Sequence, residues 1–238
     1  MAESGSFEFY KDYSESVKNL QPEFYNETKR LLENEILEFT QKYGRRPKIL
    51  DVGSAGLIPF DANFAQSVTC LDLFDKPGDV HLPANCQWKK GDIRSNEIIT
   101  AVFLNEKFDF IIMGSLLHHL CDENCNIGIH LYNSFRNCYS LLSPDGKICI
   151  FESTCSNFVA RLEDALWKYY SYFLVHLFQF TYVRMLSDDE IFSALNAAGL
   201  TYEKITFQQP KYIAQMYWRV PAFLVPLKIS AIFAEKIA

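Results

Sequence analysis

Five short strand-like segments, most of them apolar, recur along the chain with helical patterns between several of them. The segments are Pro47–Gly53, Ser67–Asp72, Gln87–Asp92, Phe108–Gly114 and Lys147–Glu152, of which Phe108–Gly114 is the most continuously apolar. Each is about as long as a single β-strand. Apolar strands that alternate with helices are typical of a parallel sheet that is covered by helices on both faces. We therefore predict an α/β protein with a doubly wound, mostly parallel sheet.

Helical patterns lie before, between and after these strands. From Phe7 to Tyr43, apolar residues recur at helical spacing, and another helical pattern covers Cys125–Leu142. Ser187 precedes three acidic residues and predicts the N-cap of a helix that ends at Gly199. Two strand-like runs complete the chain: Tyr202–Phe207 and Ile229–Lys236.

An aromatic-rich stretch follows the fifth predicted strand. Residues 155–186 are predicted to be largely helical and apolar over most of their surface. Such a helix packs in the core, forms a homodimer contact, or covers an apolar ligand, since ligand pockets are mostly apolar. The helical segment 1–45 carries further aromatic residues that could close the other side of the same cleft. No linker or repeat divides the chain, so residues 1–238 are predicted to form one domain.

Composition narrows the functional classes. The formal net charge of −6 argues against broad nucleic-acid binding, which needs a basic face. No apolar run is long enough and free enough of polar residues to predict a stable membrane insertion. Seven scattered cysteines do not suggest a disulfide framework, and the N-terminus lacks the pattern of a signal peptide. These features predict a cytoplasmic protein.

Acidic residues end the first two strands of the predicted sheet. Asp51 is followed by Gly53 and Gly56, and glycines at a strand end allow a ligand to approach the backbone. Asp72 lies about 20 residues further on, where an acid can accept hydrogen bonds from both hydroxyls of a ribose. The neighbouring Asp75 competes for that role. The pattern predicts a nucleoside-bearing ligand, and NAD satisfies it as well as other adenosine cofactors do.

An ordered series of motifs resembles the class I S-adenosylmethionine-dependent methyltransferases, in their small-molecule branch. The matching segments are Ile49–Gly56, Leu71–Asp72, Lys90–Ile93, Phe108–Leu120, Leu141–Lys147, Leu186–Leu200 and Ile229–Lys236. The resemblance covers residues 48–152 well and the remainder loosely. It implies a Rossmann-like sheet of seven strands with an antiparallel last strand and a helical cap. It also implies S-adenosyl-L-methionine as cofactor and a small-molecule methyl acceptor as partner.

The resemblance assigns a set of residues to the cofactor: Asp51, Gly53, Ser54, Gly56, Asp72, Leu73, Asp92, Ile93, Gly114 and Ser115. The glycine loop and Asp51 would face the methionine end, and Asp72 would hold the ribose. Leu73, Asp92 and Ile93 would surround the adenine, while Gly114 and Ser115 would line the cofactor beside its methyl group. The loop departs from the family pattern, because Ala55 and Leu57 stand where glycines are usual, and Pro59 leaves the following helix little room.

Two adjacent histidines are the candidate catalytic residues. A general base is needed only if the acceptor must lose a proton. His119 is the first candidate and His118 the second, although in the resembled motif such histidines commonly begin a helix and support the fold. Glu152, at the end of the fifth strand, is similarly placed. The spacing of His118, Cys121 and Cys125 could also serve a metal, but no second ligand cluster is evident and no metal site is predicted.

Three functions remain open at this stage. The first is methyl transfer to a small, aromatic or hydrophobic acceptor, with the acceptor atom undetermined. The second is an NAD(P)-dependent oxidoreductase on a related sheet. The third is a catalytically silent protein of the same fold that binds a partner through its aromatic surface.

Overall fold

The computed structural model describes residues 22–78, 80–172, 175, 182–207, 212–215, 218–221 and 227–237. The helices are α1 (Pro22–Tyr43), α2 (Asn96–Phe103), α3 (Ile127–Leu141), α4 (Asn157–Tyr172) and α5 (Asp188–Ala197). The strands are β1 (Lys48–Val52), β2 (Ser67–Asp72), β3 (Cys86–Lys90), β4 (Phe108–Gly114), β5 (Leu142–Cys155), β6 (Leu186–Ser187), β7 (Leu200–Thr206), β8 (Tyr212–Gln215), β9 (Trp218–Pro221) and β10 (Leu227–Lys236).

One twisted sheet organises the domain, in the order β3-β2-β1-β4-β5-β10-β7. Strands β1 to β5 pair in parallel, whereas β10 pairs antiparallel with both β5 and β7. The short β6 lies beside the end of β5, and β8 and β9 form a separate hairpin. The predicted doubly wound sheet with an antiparallel last strand is confirmed. Strand order reverses between β1 and β4, and such switch points are where open α/β sheets bind their ligands.

Strands β1, β2 and β4 are buried on both faces of the sheet, which explains why they are apolar without alternation. Successive residues of a strand point to opposite faces, so Leu50 and Ile111 enter one core while Ile49 and Phe110 enter the other. The first core packs α2, α3 and α5 against the sheet, and the second packs α1 against it. All four residues are at most 2% exposed.

The segment after β1 differs from the family pattern. A full helix commonly follows this strand in the resembled fold. Here the described chain makes a tight loop and then only a 3-10 helix, Ala62–Phe64, whose first turn is capped by Asp61. Pro59 has no N–H to donate, and proline is disfavoured beyond the first turn of a helix, so this residue works against a long helix here.

Most other differences from the sequence predictions concern where a helix or strand begins and ends. Of the predicted Phe7–Tyr43 helix, the structure describes Pro22–Tyr43, and residues 7–21 lie outside the described residues. Of the aromatic stretch, α4 is helical to Tyr172, and residues 182–185 have no regular structure. The predicted cap at Ser187 is confirmed as a capping box with Glu190.

A buried carboxylate ties the loop before β1 to the start of β4. Asp109 accepts two hydrogen bonds from Arg45, at 2.7 and 2.8 Å, and further ones from the Lys48 N–H and the Ser143 hydroxyl. Burial raises the pKa of Asp109, but the Arg45 hydrogen bond and these other donors outweigh it and hold the pKa below its usual value.

Replacing Asp109 with asparagine should therefore lower the free energy of unfolding at pH 7 by about 2–3 kcal/mol. Because the folded carboxyl has the lower pKa, this stabilisation is present above the unfolded pKa and disappears as the pH falls through the folded one. Urea unfolding at pH 7 and pH 3 measures the difference. Glu27→Gln, which removes an exposed carboxylate paired with Arg30, should change little and serves as the control. An Asp109→Asn protein as stable as wild type at pH 7 would contradict this account.

Candidate functional site

The loop after β1 is held against the end of β2. Gly53, Ala55 and Gly56 all have positive φ angles, +70°, +46° and +83°. The Gly53 N–H donates to the Leu71 carbonyl at 2.8 Å, and the Ala55 N–H donates to Asp72 Oδ2 at 3.3 Å. Ala55 thus adopts, as a non-glycine residue, the backbone region that glycine favours.

The glycines of this loop make close approaches to neighbouring side chains. A Cβ atom on Gly53 would lie 2.6 Å from Leu116 Cδ1, and one on Gly56 would lie 2.6 Å from Val80 Cγ1. Ser54 is buried and its hydroxyl accepts from the Gly56 N–H at 3.1 Å. Together these contacts fix the path of the loop beside the switch point between β1 and β4.

Asp51 is a buried acid whose hydrogen bonding is incomplete. The residue is 3% exposed, and its Oδ2 atom has no hydrogen-bond partner among the described residues. Burial and the nearby Asp72 carboxylate raise the pKa of Asp51 to about 8. A carboxyl in this state is poised to receive a hydrogen-bond donor or a cation from a ligand.

Asp72 ends β2 and faces the same loop. Its two oxygens accept from the Ala55 and Phe74 N–H groups, and burial raises its pKa against the opposing effect of those bonds. The next residue, Leu73, is 48% exposed and offers an apolar surface beside the carboxylate. An acid with an exposed leucine next to it suits a ribose and the planar base attached to it.

Asp92 has a partner that sequence reasoning missed. Its carboxylate forms a bidentate pair with Arg94, with nitrogen–oxygen distances of 2.8 to 3.1 Å, and it also accepts the Arg94 N–H. The spacing of two residues between an acid and an arginine was the available signal. Ile93 is buried in the core, and its carbonyl accepts from the Asn137 amide at 2.7 Å. The adenine roles of Asp92 and Ile93 stay predictions.

The end of β4 is open. Gly114 and Ser115 are exposed, and a Cβ atom on Gly114 would meet no atom within 4 Å. Ser115 has a φ of +49°, and its N–H donates to the Phe151 carbonyl on β5 at 2.8 Å. The structure thus brings Asp51, the glycine loop and the end of β4 to one edge of the sheet, as the parallel topology requires.

His118 is oriented by Glu152. Its Nδ1 atom lies 2.7 Å from Glu152 Oε1, and this fully buried carboxylate also accepts the N–H groups of Leu117 and Ser153. Burial lowers the pKa of His118, but the charge of Glu152 and its hydrogen bond outweigh that and raise the pKa. With Nδ1 donating to the carboxylate, Nε2 is the acceptor nitrogen of the neutral ring.

His119 differs from its neighbour in the direction of its pKa shift. Burial and the adjacent His118, whose ring centroid is 4.1 Å away, hold the pKa of His119 well below its usual value. Its ring therefore stays neutral near pH 7 and is a weak base. The catalytic roles of His119 and His118 stay predictions.

The cysteines near His118 have other partners. The Cys121 thiol points to the His118 carbonyl at 3.8 Å, and the Cys125 thiol lies 3.4 Å from Asp164 Oδ1. Within the described residues no three histidine, cysteine, aspartate or glutamate side chains are grouped as a metal site would need.

A second polar cluster, built around the buried Arg184, lies beside His118 and was not found from the sequence. Arg184 is 1% exposed and forms ion pairs with Asp164 and Glu190. Glu163, on α4, accepts the Met185 N–H. No motif signals this cluster, because its members come from three separate elements that only the fold brings together.

Neither a scan against protein-family models nor a search of curated proteins found a match. Among solved structures, a SAM-dependent methyltransferase from Methanosarcina mazei is 13% identical, with 81% of this chain and 93% of that one covered and a TM-score of 0.51. An O-methyltransferase family protein from Burkholderia thailandensis is 12% identical, with 92% and 60% covered and a TM-score of 0.55.

A third match carries ligands. The Burkholderia thailandensis 1,6-didemethyltoxoflavin-N1-methyltransferase, solved with 1,6-didemethyltoxoflavin and S-adenosylhomocysteine, is 15% identical, with 96% and 90% covered and a TM-score of 0.51. The fold is that of the S-adenosylmethionine-dependent methyltransferases. In this methyltransferase fold, no described helix is long and apolar enough to span a bilayer.

Proposed function

We propose that this protein transfers a methyl group from S-adenosylmethionine to a small molecule. The observation that carries the proposal is the convergence of Asp51, Asp72 and the Gly53–Gly56 loop at the switch point of a methyltransferase fold. When bound, the cofactor supplies an activated methyl group on a sulfonium. Its two positive charges, on the sulfonium and the amino group, suit a site that contains two neighbouring carboxyl groups.

The residues present fit the cofactor at most of the predicted positions. The unsatisfied oxygen of Asp51 would accept from the amino end, Asp72 would hold the ribose, and Leu73 would cover the adenine. Gly114 and Ser115 would leave room beside the methyl group. Asp92 already pairs with Arg94, so any contact between Asp92 and the adenine would use its remaining acceptor capacity.

The acceptor is proposed to be flat and aromatic or hydrophobic. Residues 1–45 and 155–186 would form the cap over it within a single domain. His118 and His119 remain the candidates for general base, and the Glu152 contact favours His118 because it leaves Nε2 as the acceptor nitrogen. All seven cysteines are unpaired, which fits a reducing cytoplasm. A homodimer through the aromatic segment and the absence of a nucleic-acid partner also stay predictions.

Calorimetry with S-adenosylhomocysteine and with NADH tests the proposal. We expect micromolar binding of S-adenosylhomocysteine, about −8 kcal/mol, and no binding of NADH. Binding of NADH alone would favour the oxidoreductase. Failure to bind either compound at millimolar concentration would favour the silent binding protein.

A further inference from the structure

An apolar stripe runs along the outward face of α4. Phe158 and Tyr169 are 74% and 68% exposed, and Leu162 and Leu166 are each nearly half exposed. These four residues follow one another at spacings of four, four and three, so they lie on one face of the helix. Contiguous exposed apolar side chains on a folded domain commonly mark an interaction surface. We call these four residues the α4 stripe.

The opposite face of α4 holds the helix against the rest of the domain. Ala160 and Trp167 are buried, and the Trp167 indole N–H donates to the Glu123 carbonyl at 3.0 Å. Asp164 forms an ion pair with the buried Arg184. Because these contacts fix the inner face of the helix, the α4 stripe is presented outward.

Two basic residues border the α4 stripe. Arg161 and Lys168 are exposed, and at 100° per residue both project from the same side of the stripe. The two acidic residues of α4, Glu163 and Asp164, interact with Arg184 on the side of the helix that faces the domain. The exposed border of the stripe is therefore positively charged.

We propose that the α4 stripe binds the surface of a lipid bilayer that contains anionic headgroups. Its apolar side chains would enter the boundary between headgroups and acyl chains, while Arg161 and Lys168 would remain at the level of the phosphates. A helix with aromatic and leucine side chains on one face and basic residues beside them is typical of binding in the plane of the interface. Because α4 has 16 residues and is anchored to the domain, it would lie on the bilayer rather than cross it.

Charge favours a bilayer over a second copy of this chain. In an antiparallel pair of α4 helices related by a twofold axis, the basic borders of both copies would lie on the same side and repel each other. Anionic headgroups would instead strengthen binding about fivefold for each basic residue. The net charge of −6 opposes binding to such a surface, but salt screens charges that lie more than about 10 Å away.

Cosedimentation with vesicles tests the proposal. The full-length protein, without cofactor, is mixed with vesicles of phosphatidylcholine alone or with vesicles in which one-third of the lipid is phosphatidylglycerol. Wild type should bind the anionic vesicles roughly tenfold more tightly than the neutral ones, and high salt should reduce this preference.

Two variants separate the apolar and the charged contributions. Leu162→Glu places a carboxylate within the stripe and should weaken binding to the anionic vesicles about tenfold or more. Replacing Arg161 and Lys168 together with glutamine should weaken that binding roughly tenfold and remove the preference for anionic over neutral vesicles. All three positions are exposed, so thermal unfolding should show that these variants are folded.

Matched controls change the same chemistry elsewhere on the surface. Ile129→Glu replaces an isoleucine of α3 that is 62% exposed. Replacing Lys42 and Arg136 together with glutamine makes the same change in net charge at exposed positions of α1 and α3. Both controls should bind the anionic vesicles as wild type does.

Several results would overturn the proposal. These are wild type that does not bind anionic vesicles, binding that survives in Leu162→Glu, and controls that weaken binding as much as the stripe variants do. Sedimentation velocity without vesicles identifies other occupants, since a wild-type dimer that Leu162→Glu converts to a monomer would assign the stripe to a second copy. A monomer that binds no vesicles would leave the stripe to another part of the same chain or to another protein. Because no assay uses the cofactor, failure here is separate from failure of the proposed function.

Discussion

Replacing Asp51 with asparagine should stabilise the cofactor-free protein at pH 8 by about 2–4 kcal/mol. The side chain is almost fully buried, and burial with the neighbouring Asp72 raises its pKa to about 8. In the unfolded chain the same group has an ordinary pKa near 4. Ionising the buried Asp51 carboxyl in the folded wild-type protein is therefore unfavourable. An asparagine of the same shape has no such charge.

The stability difference between wild type and Asp51→Asn should depend on pH. Between the unfolded and folded pKa values, the folded protein holds a proton that the unfolded chain has lost, so wild-type stability falls as the pH rises. Below about pH 4 both states are protonated, and wild type and Asp51→Asn should be equally stable. Urea unfolding at pH 4, 6 and 8 should show a difference that grows with pH. A variant that is less stable than wild type at pH 8 would contradict it.

The same substitution should weaken the cofactor site. If Asp51 receives the amino end of the cofactor, binding favours the ionised carboxylate and releases a proton. We expect wild-type affinity for S-adenosylhomocysteine to rise from pH 6 to pH 8, and affinity of Asp51→Asn to be about tenfold lower and independent of pH. Calorimetry in two buffers of different ionisation enthalpy measures the released proton directly.

Replacing Asp72 with alanine should reduce affinity for S-adenosylhomocysteine by roughly 1–3 kcal/mol, or about 5- to 150-fold. The ribose hydroxyls would lose their acceptor, and the loop would lose the contact from the Ala55 N–H to Asp72 Oδ2. Asp72→Asn keeps an acceptor oxygen and should lose less. The Asp51 pKa should fall in both variants, because a neighbouring negative charge is removed.

Asp75 supplies the control for this second prediction. Its side chain is 83% exposed and pairs with Lys90 at 2.8 Å. Sequence spacing alone left it as a competitor for the ribose. Asp75→Ala should therefore bind S-adenosylhomocysteine as wild type does. Equal losses from Asp72→Ala and Asp75→Ala would remove the ribose assignment.

Local sequence patterns correctly predicted those features that depend on a single helix or strand. The apolar runs that became β1, β2 and β4 are buried on both faces, so their composition has only one compatible environment. The N-cap at Ser187 follows from its hydroxyl and from Glu190 three residues later. The family pattern favours a helix after β1, but Pro59 already argued against a long helix in this sequence.

Contacts between distant elements could not be predicted in this way. The orientation of His118 depends on Glu152, which is 34 residues away on another strand. The approach of Glu163 to Arg184 depends on how α4 and the segment before β6 pack. Neither pair has a fixed spacing, so no periodicity or motif reveals it.

Local sequence patterns were enough to predict the sheet, the succession of strands and helices, and the edge at which Asp51 and Asp72 meet, because the carboxyl ends of parallel strands lie at the same edge of a sheet. The hydrogen bonds and pKa shifts of these side chains follow only from the folded structure. Burial and Asp72 raise the pKa of Asp51, Arg94 pairs with Asp92, and Glu152 orients His118. The fold also determines which buried polar atoms find a hydrogen-bond partner. Charge and hydrogen-bond capacity are properties of a residue, but how they are used depends on neighbours that only the folded chain supplies.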